Sequence, residues 1–252
     1  MLSNEEFINA INERCSRRTY RSKYLADDIC NEIKRIVDET NKISSMNFQF
    51  IKDGKKALSS FSASKGMFSG LPSYIALTGE DTQKARENIG YYGEIILLQL
   101  VNGGLGTCWV CGTFNKTQVE KEITLNKCEK LYGIIAAGYV IPEKSAKENI
   151  IYNATHKTAN PYQRMFINCD KELPDYLVAA MKLVEKAPSA VNRQPYKFSY
   201  IDNILSVTVD EPYSEKSIDL GIAKLHIELG AANKGVFGKW NIKNQFVLDD
   251  KA

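Results

Sequence analysis

YYGEIILLQLVNGGLGTCWVCG, from Tyr91 to Gly112, reads as a buried helix that breaks into a glycine-rich loop. Its apolar run from Ile95 to Val101 is interrupted only by Gln99, and a helix that is hydrophobic nearly all round belongs in the middle of a domain. Even counted from Tyr91 it supplies only about half of the ~20 apolar residues that a bilayer span requires, and it stops at Asn102-Gly103-Gly104, so it is not a membrane segment. Gly103, Gly104 and Gly106 let the backbone turn sharply and leave its amides accessible where the helix ends. Something flat or anionic can approach there.

Working outward, Asp27 to Thr40 places Ile29, Ile33, Ile36 and Val37 at helical spacing behind an Asp cap. Met46 to Lys52 and Ser73 to Thr78 are short, partly alternating runs bounded by turn residues, so each reads as a strand, and Ile204 to Val209 reads as a strand in the place that Tyr74 to Thr78 holds earlier in the chain. Lys130 to Tyr139 reads as a strand buried on both faces, ended by Pro142. Between the first two strands, Ser59 to Gly70 is a small-residue loop carrying Lys65. The chain then begins again. Leu173 to Ile201 lies on Leu25 to Asp53 at a constant offset, matching Leu25 with Leu173, Cys30 with Val178, Ile33 with Met181, Ile36 with Val184, Phe48 with Tyr196 and Phe50 with Phe198. Ser217 to Trp240 mirrors the central helix and its loop, with Gly93 answering Gly221, Leu97 answering Leu225 and Trp109 answering Phe237. This duplication predicts an α+β chain with two similar halves: residues 1–142, a crossover at 143–172, and residues 173–252, packed around two long helices as an internal version of a twofold dimer. Ile222, Leu225 and Leu229 would face the run from Ile95 to Val101, so a monomer is expected to complete its own site.

The 252 residues are 44% apolar and 25% charged, an ordinary globular balance. Basic residues exceed acidic ones only slightly, 33 against 30, and they are scattered without a block that would suit nucleic acid. The N-terminus lacks a signal-peptide apolar region, so the chain is read as cytoplasmic. In that compartment the six cysteines should be free thiols. Cys108-Trp109-Val110-Cys111 is a CxxC, which taken alone is a redox dithiol, half of a zinc site without its second pair, or a coincidence. The two histidines, His156 and His226, are far apart, which argues against a metal.

Arg14 to Arg21 holds four arginines around Ser16. It is either a solvated charged turn or an anion clamp, since guanidinium forks and a hydroxyl suit phosphate or a polarised carbonyl. In the second half, Ala187-Pro188-Ser189-Ala190-Val191-Asn192-Arg193-Gln194-Pro195-Tyr196-Lys197-Phe198 is rich in turn formers and amides. Its counterpart, Glu39 to Phe50, lacks both prolines. Each half keeps what the other lacks.

These segments resemble the nitroreductase family of FMN-dependent oxidoreductases, and more closely its single-chain pseudo-dimer branch, over nearly the whole chain. The carriers are Arg14-Cys15-Ser16-Arg17-Arg18-Thr19-Tyr20, like Arg-x-Ser-x-Arg-x-Tyr; Gly104 to Trp109; Gly133 to Tyr139; and Ala187 to Phe198, like Ala-Pro-Ser-x-x-Asn-x-Gln-Pro-Trp-x-Phe. The resemblance implies a nitroreductase-like fold with mixed and antiparallel sheets. It implies that Arg14, Ser16 and Arg18 contact the phosphate, ribityl chain and pyrimidine edge of FMN. Pro188, Ser189, Ala190 and Asn192 would close over the same flavin from the other half, and Val110, Cys111 and Gly112 would back its ring. Lys157 resembles the family's phosphate-binding basic residue, but Thr158, Ala159 and Asn160 stand where further basic residues are usual, and Tyr196 where tryptophan is common.

The implied activity is hydride transfer from NAD(P)H, a transient substrate, to a small acceptor such as a nitroaromatic or a quinone. A fixed guanidinium near the ring favours hydride acceptance, and no catalytic side chain is required. Gly103 to Gly106 lacks the GxGxxG spacing and follows a helix, so no dinucleotide fold is visible. Two alternatives stand beside this reading: another enzyme on the same scaffold, such as a dehalogenase or flavin-consuming enzyme, and a non-catalytic flavin-binding protein.

Overall fold

The computed structural model describes residues 1–58, 66–156, 160–211 and 214–249. Helix α1 (Asn4–Glu13) starts at a capping box in which Ser3 and Glu6 satisfy each other's amides. Helix α2 (Asp27–Ser44) carries Asp27 and Asp28 in its first turn, where they complement the helix dipole. It buries Cys30, Ile33, Ile36, Val37 and Thr40 along one stripe, and ends at Ser45 in the left-handed region. Then come β1 (Gln49–Ile51), α3 (Lys55–Leu58) and β2 (Ser73–Glu80). The central helix α4 (Gln83–Asn102) begins two turns before Tyr91 because Thr82 caps it, accepting the Ala85 amide.

The glycine loop after α4 is shorter than the sequence suggests. Only Gly103 to Leu105 turn; Gly106–Val110 is strand β3, and its Gly106 lets Val140 and Arg17 come close, where a Cβ would meet Val140 Cγ1 at 2.3 Å. Helix α5 (Lys116–Glu122) and β4 (Glu129–Gly138) follow. Together β1, β2, β4 and β3, in that order, form an antiparallel sheet. Strand β4 is buried from Gly133 to Gly138, as its unbroken apolar run requires.

The segment 143–172 contains α6 (Ala146–Thr155), a short 3₁₀ turn (Tyr162–Met165) and β5 (Phe166–Cys169). Next are α7 (Asp175–Val184), β6 (Tyr196–Ile201), β7 (Ile204–Val209), α8 (Lys216–Ala232), β8 (Gly238–Trp240) and β9 (Gln245–Leu248). The second sheet runs β5-β6-β7-β9-β8, with β5 parallel to β6 and the other pairs antiparallel. The α+β class with mixed and antiparallel sheets around two long helices is therefore the one observed. Without β5, the strand order of the second sheet repeats that of the first.

Helices α4 and α8 cross between the sheets. Ile95 to Leu98 and Leu100 share one core with Ile218, Ile222 and Leu225, while Leu220, Ala223 and Ile227 face a second core under β6, β7 and β9. At the crossing the backbones touch: a Cβ on Gly90 would lie 1.9 Å from the Ile218 carbonyl oxygen, and one on Gly221 would lie 2.0 Å from that of Glu87. The reciprocal partner of Gly221 is thus Gly90, one turn before Gly93. Gly93 instead makes room for the Trp109 ring, which a Cβ would meet at 2.6 Å. The strand pairing agrees: Trp109 faces Ile135 in the first sheet, and Trp240, not Phe237, faces Phe246 in the second.

Replacing Gly221 by Ala forces a methyl into the Glu87 carbonyl, and overpacking of this kind costs about 1–3 kcal/mol. Urea unfolding of Gly221→Ala should show a loss at the upper end of that range. Gly103→Ala, whose Cβ meets nothing nearer than 3.4 Å, should stay within about 0.5 kcal/mol of the parent. Equal stability of the two variants would show that the helices can part without loss.

Candidate functional site

The arm that follows α1 is extended. Arg14 closes the helix with its amide on the Ala10 carbonyl, and Ser16 then runs parallel to Thr107 at the free edge of β3. The Arg17 amide donates to the Thr107 carbonyl at 2.8 Å, that of Tyr20 to Ser69 at 3.0 Å and that of Arg21 to Tyr139 at 2.8 Å. Side chains of an extended segment alternate between its two sides. Arg14, Ser16 and Arg18 accordingly face one cavity, while Arg17 is sunk on the other side. The Arg17 guanidinium donates to Glu148 at 3.2 Å and to the carbonyls of Ile141 and Glu143 at 2.9 and 3.0 Å.

Glu148 is the residue that holds this arm, and sequence reading missed it. Its carboxylate accepts the amides of Arg18 (2.6 Å), Thr19 (3.0 Å) and Ser145 (2.8 Å) besides the Arg17 guanidinium. Burial by itself would raise the Glu148 carboxyl, but those amides and the guanidinium outweigh it and hold the group down at about 2. The Ser145-x-x-Glu148 spacing is a capping-box signal that could have marked a helix start; nothing local shows that the same carboxylate grips a segment far away in sequence.

The opposite wall is the loop after α7. Gln194 closes it, donating from Nε2 to the carbonyls of Val184 and Glu185 at 3.3 and 2.9 Å and from its amide to Ser189 Oγ at 2.9 Å. Inside the loop Val191, Asn192 and Gln194 have φ of 46°, 57° and 46°. A β-branched residue in the left-handed region is a strained conformation of the kind that clusters at functional sites. The Ala190 amide donates to both carboxylate oxygens of Asp219 at 3.3 Å, in the first turn of α8. Burial pushes the Asp219 carboxyl up to about 7; Glu215 adds to the rise, while the Ala190 amide and Arg193 oppose it.

Arm and loop face each other across a cavity of about 330 Å³, whose wall includes Arg14, Ser16, Arg18, Pro188, Ser189 and Asn192. Helix α6 supplies a third wall with Glu148, Tyr152 and His156. Asn192 Nδ2 reaches the Thr155 carbonyl at 3.4 Å, tying the loop to that helix. Among the described residues neither Arg14 nor Arg18 has an ion-pair partner, and Arg14 Nε is buried without a hydrogen bond. The remaining candidates lie elsewhere. Ala190 is exposed, with its amide turned to Asp219; Val110 ends β3 in the core, and Cys111 and Gly112 follow it at the surface, outside the wall of this cavity. Lys157 and the loop residues 59–65, with Lys65, lie outside the described residues.

Cys108 is 1% exposed, and Cys111, exposed as a residue, packs its sulfur against Gly133; burial pushes both thiols up, that of Cys111 to about 12, and neither is in a disulfide. Among the described residues no group of His, Cys, Asp and Glu is placed to hold a metal ion, and no helix is long and apolar enough to cross a membrane.

The family model described as "Putative TM nitroreductase" matches residues 6–231. The chain belongs to this family. The crystal structure of a "putative nitroreductase" from Thermotoga maritima is similar over 98% of this chain and 95% of that one, with a TM-score of 0.63 at 22% identity, so this nitroreductase-family chain shares its fold. An FMN-dependent nitroreductase from Clostridium difficile covers 55% of this chain and 90% of its own, with a TM-score of 0.44 and 19% identity. A "putative nitroreductase" from Exiguobacterium sibiricum in complex with FMN covers 56% and 91%, with a TM-score of 0.37 and 14% identity. No curated protein matches the chain.

The pull of Glu148 on the arm has a pH signature. Its folded value of about 2 lies below the ordinary 4.5. The stabilisation it gives is therefore complete above the ordinary value and is lost as pH falls through the folded one. Glu148→Gln should lower stability at pH 7 by about 3 kcal/mol, as removing one member of a buried pair does, and should flatten the acid loss measured by urea midpoints between neutrality and pH 3. Parallel acid profiles for the two proteins would show that the arm is held by other means.

Proposed function

We propose that this nitroreductase-family chain is an FMN-dependent oxidoreductase that takes hydride from NAD(P)H and passes it to a small acceptor such as a nitroaromatic or a quinone. The observation that carries the reading is the cavity itself: two guanidiniums without partners among the described residues and a hydroxyl on one wall, facing a strained proline-serine-asparagine loop on the other. A buried donor without an acceptor costs about 1–3 kcal/mol unless a ligand satisfies it, and Arg14 Nε is such a donor. The donor set therefore fits an anionic, hydrogen-bond-accepting cofactor. FMN, when bound, would supply the centre that accepts and releases hydride.

The protein's part is binding and electrostatics. Arg14 and Arg18 would hold the anionic and carbonyl groups of the flavin, their positive charge favouring the reduced form. Ser16 would add a hydroxyl from the same face of the arm. Pro188, Ser189 and Asn192 would close the other side, with Gln194 and Asp219 holding the loop in shape from behind. Val110, Cys111 and Gly112 would offer backbone amides beyond the cavity wall. Neither cysteine is needed for this chemistry.

The repeated strand order, β1-β2-β4-β3 and β6-β7-β9-β8, supports reading the chain as an internal pseudo-dimer, with residues 1–142 and 173–252 as the two halves and 143–172 as the crossover. In this reading the arm comes from the start of the chain and the loop from the second half, so one chain completes one site. A monomer would bind its own flavin, and further association would be optional.

FMN released on denaturation should approach one equivalent per chain, and NAD(P)H should bleach the bound flavin. A colourless chain that cannot be reconstituted with FMN would overturn the reading, and two equivalents would overturn the single-site arrangement. Loss of FMN on dilution, in step with dissociation of a dimer, would overturn the self-contained site. Arg18→Ala should keep the fold by circular dichroism and weaken FMN binding or reduction roughly tenfold to a hundredfold, the worth of a charge-assisted hydrogen bond. Unchanged binding and turnover would return Arg18 to a solvated turn.

A further inference from the structure

The wall of the cavity carries a cation that the family motif does not assign. Lys144 stands immediately before Ser145, the cap of α6, and lines the cavity with Arg14 and Arg18. Its Nζ lies 3.9 Å from the centre of the Tyr152 ring, and that ring stacks on His156 at 4.0 Å with an interplanar angle of 13°. The aromatic surface under the ammonium is thus braced. A ring face attracts the charge but accepts none of its three N–H donors in the ordinary sense. Among the described residues Lys144 has no ion-pair or hydrogen-bond partner for its ammonium.

The carboxylates on the same wall are engaged elsewhere. Glu148 is taken up by the amides of Arg18, Thr19 and Ser145 and by Arg17. Glu185 accepts the Tyr162 amide at 2.8 Å. Four cations, Arg14, Arg18, Lys144 and Lys186, therefore line the space; the Lys186 ammonium donates to Asn12 Oδ1, and among the described residues none of the four is ion-paired to Glu148 or Glu185. The arrangement is also fixed, because Thr19 Oγ1 and Ser145 Oγ meet at 2.9 Å and Glu148 holds the Arg18 amide at 2.6 Å. The backbone bearing Lys144 and the backbone bearing Arg18 are thereby locked together. Meanwhile the sequence has Thr158, Ala159 and Asn160 where further basic residues would be expected after Lys157.

The geometry points to Lys144 as the residue that reads the phosphate monoester of the flavin, replacing the basic side chains missing after Lys157. This assignment rests on the FMN reading above. An ammonium on a flexible stem is a compact charge with three rotatable donors, suited to a phosphate that needs no bidentate alignment. Charge-assisted hydrogen bonds to a phosphate are short and about twice as strong as neutral ones. The ammonium lies over the Tyr152 ring, on the cavity wall, and the assignment gives Lys144 no part in the hydride transfer.

Riboflavin has the ring and ribityl chain of FMN but no phosphate, so the pair of ligands isolates the contact. Both are titrated, by quenching of flavin fluorescence, into the full-length apoprotein and into Lys144→Ala, Lys144→Arg and Lys147→Ala. The last removes the same charge from α6, at a lysine that donates to the Gly66 carbonyl at 2.9 Å. Lys144→Ala should lose roughly tenfold to a hundredfold in FMN affinity, the range of one charge-assisted hydrogen bond, with riboflavin affinity unchanged. Lys144→Arg should retain most of the preference for FMN, and Lys147→Ala all of it. An unchanged FMN-to-riboflavin ratio in Lys144→Ala, or an equal loss for both ligands, would overturn the assignment while leaving the FMN reading standing. Failure of the parent protein to bind either flavin would overturn both, and is a separate result.

Discussion

Everything in this chain hangs on the crossing of α4 and α8, where Gly90 and Gly221 let two backbones meet. Without a Cβ at either position the helices approach closer than side chains permit, and each carries its own sheet with it. The crossing is lined with polar groups that fix its register. Lys224 reaches Glu87 at 2.6 Å, and Glu94 accepts Trp109 Nε1 at 2.7 Å while facing His226 Nε2 at 3.3 Å. The other nitrogen of His226 faces the Leu183 carbonyl at 2.9 Å. With one ring nitrogen on a carbonyl of α7 and the other on a carboxylate of α4, His226 ties α8 to both helices in this alignment. An alignment that left one member of such a buried pair without its partner would be strongly penalised.

Once the crossing is set, the cavity is shaped by two buried carboxylates that hold backbone rather than ligand. Glu148 grips the arm and Asp219 grips the loop. Their ionisation differs for a physical reason. Glu148 has three amides and a guanidinium within hydrogen-bond reach and stays strongly acidic, whereas Asp219 has one amide, shares its helix turn with Glu215, and is pushed up by burial. The arm is thus held across the whole neutral range. The loop is the more labile wall, and it is also the one with strained residues.

The two sheets share a strand order but not an environment. The first is covered on both faces: Tyr20, Leu58, Phe68 and Val119 pack on the side away from α4, and β2 is buried from Ser73 to Gly79. The second alternates, with Ile201, Ile204 and Val247 outward and Phe198, Leu205 and Phe246 inward. Parallel pairing of β5 with β6 occupies one edge of the second sheet, while the arm runs along the opposite edge of the first, beside β3. That difference in routing is why the arm can serve the cavity from the first half and has no equivalent in the second.

Sequence alone determined the periodic elements and the family. Apolar spacing located α2 and α4, partial alternation located β1 and β2, an unbroken apolar run located β4, the internal repeat located α7, β6, β7 and α8, and the arginine-serine and proline-serine-asparagine segments marked the two walls. Apart from the repeat, these signals are local, carried by periods of about 3.6 and 2 residues and by turn chemistry. What sequence could not resolve is what depends on contact between distant segments. Gly106 to Val110 reads as loop because of its glycine, yet edge pairing with β4 makes it a strand. Matching Gly93 with Gly221 errs by one turn, and a shift of one turn leaves the same helix face inward, so periodicity cannot detect it; only the backbone contact at Gly90 does. Arg17 and Arg18 are indistinguishable by type, and it took the alternation of an extended arm against β3, with Glu148 arriving from α6, to bury one and turn the other toward the cavity. Tertiary structure decided these because a charge or a glycine acquires its role from what is packed against it.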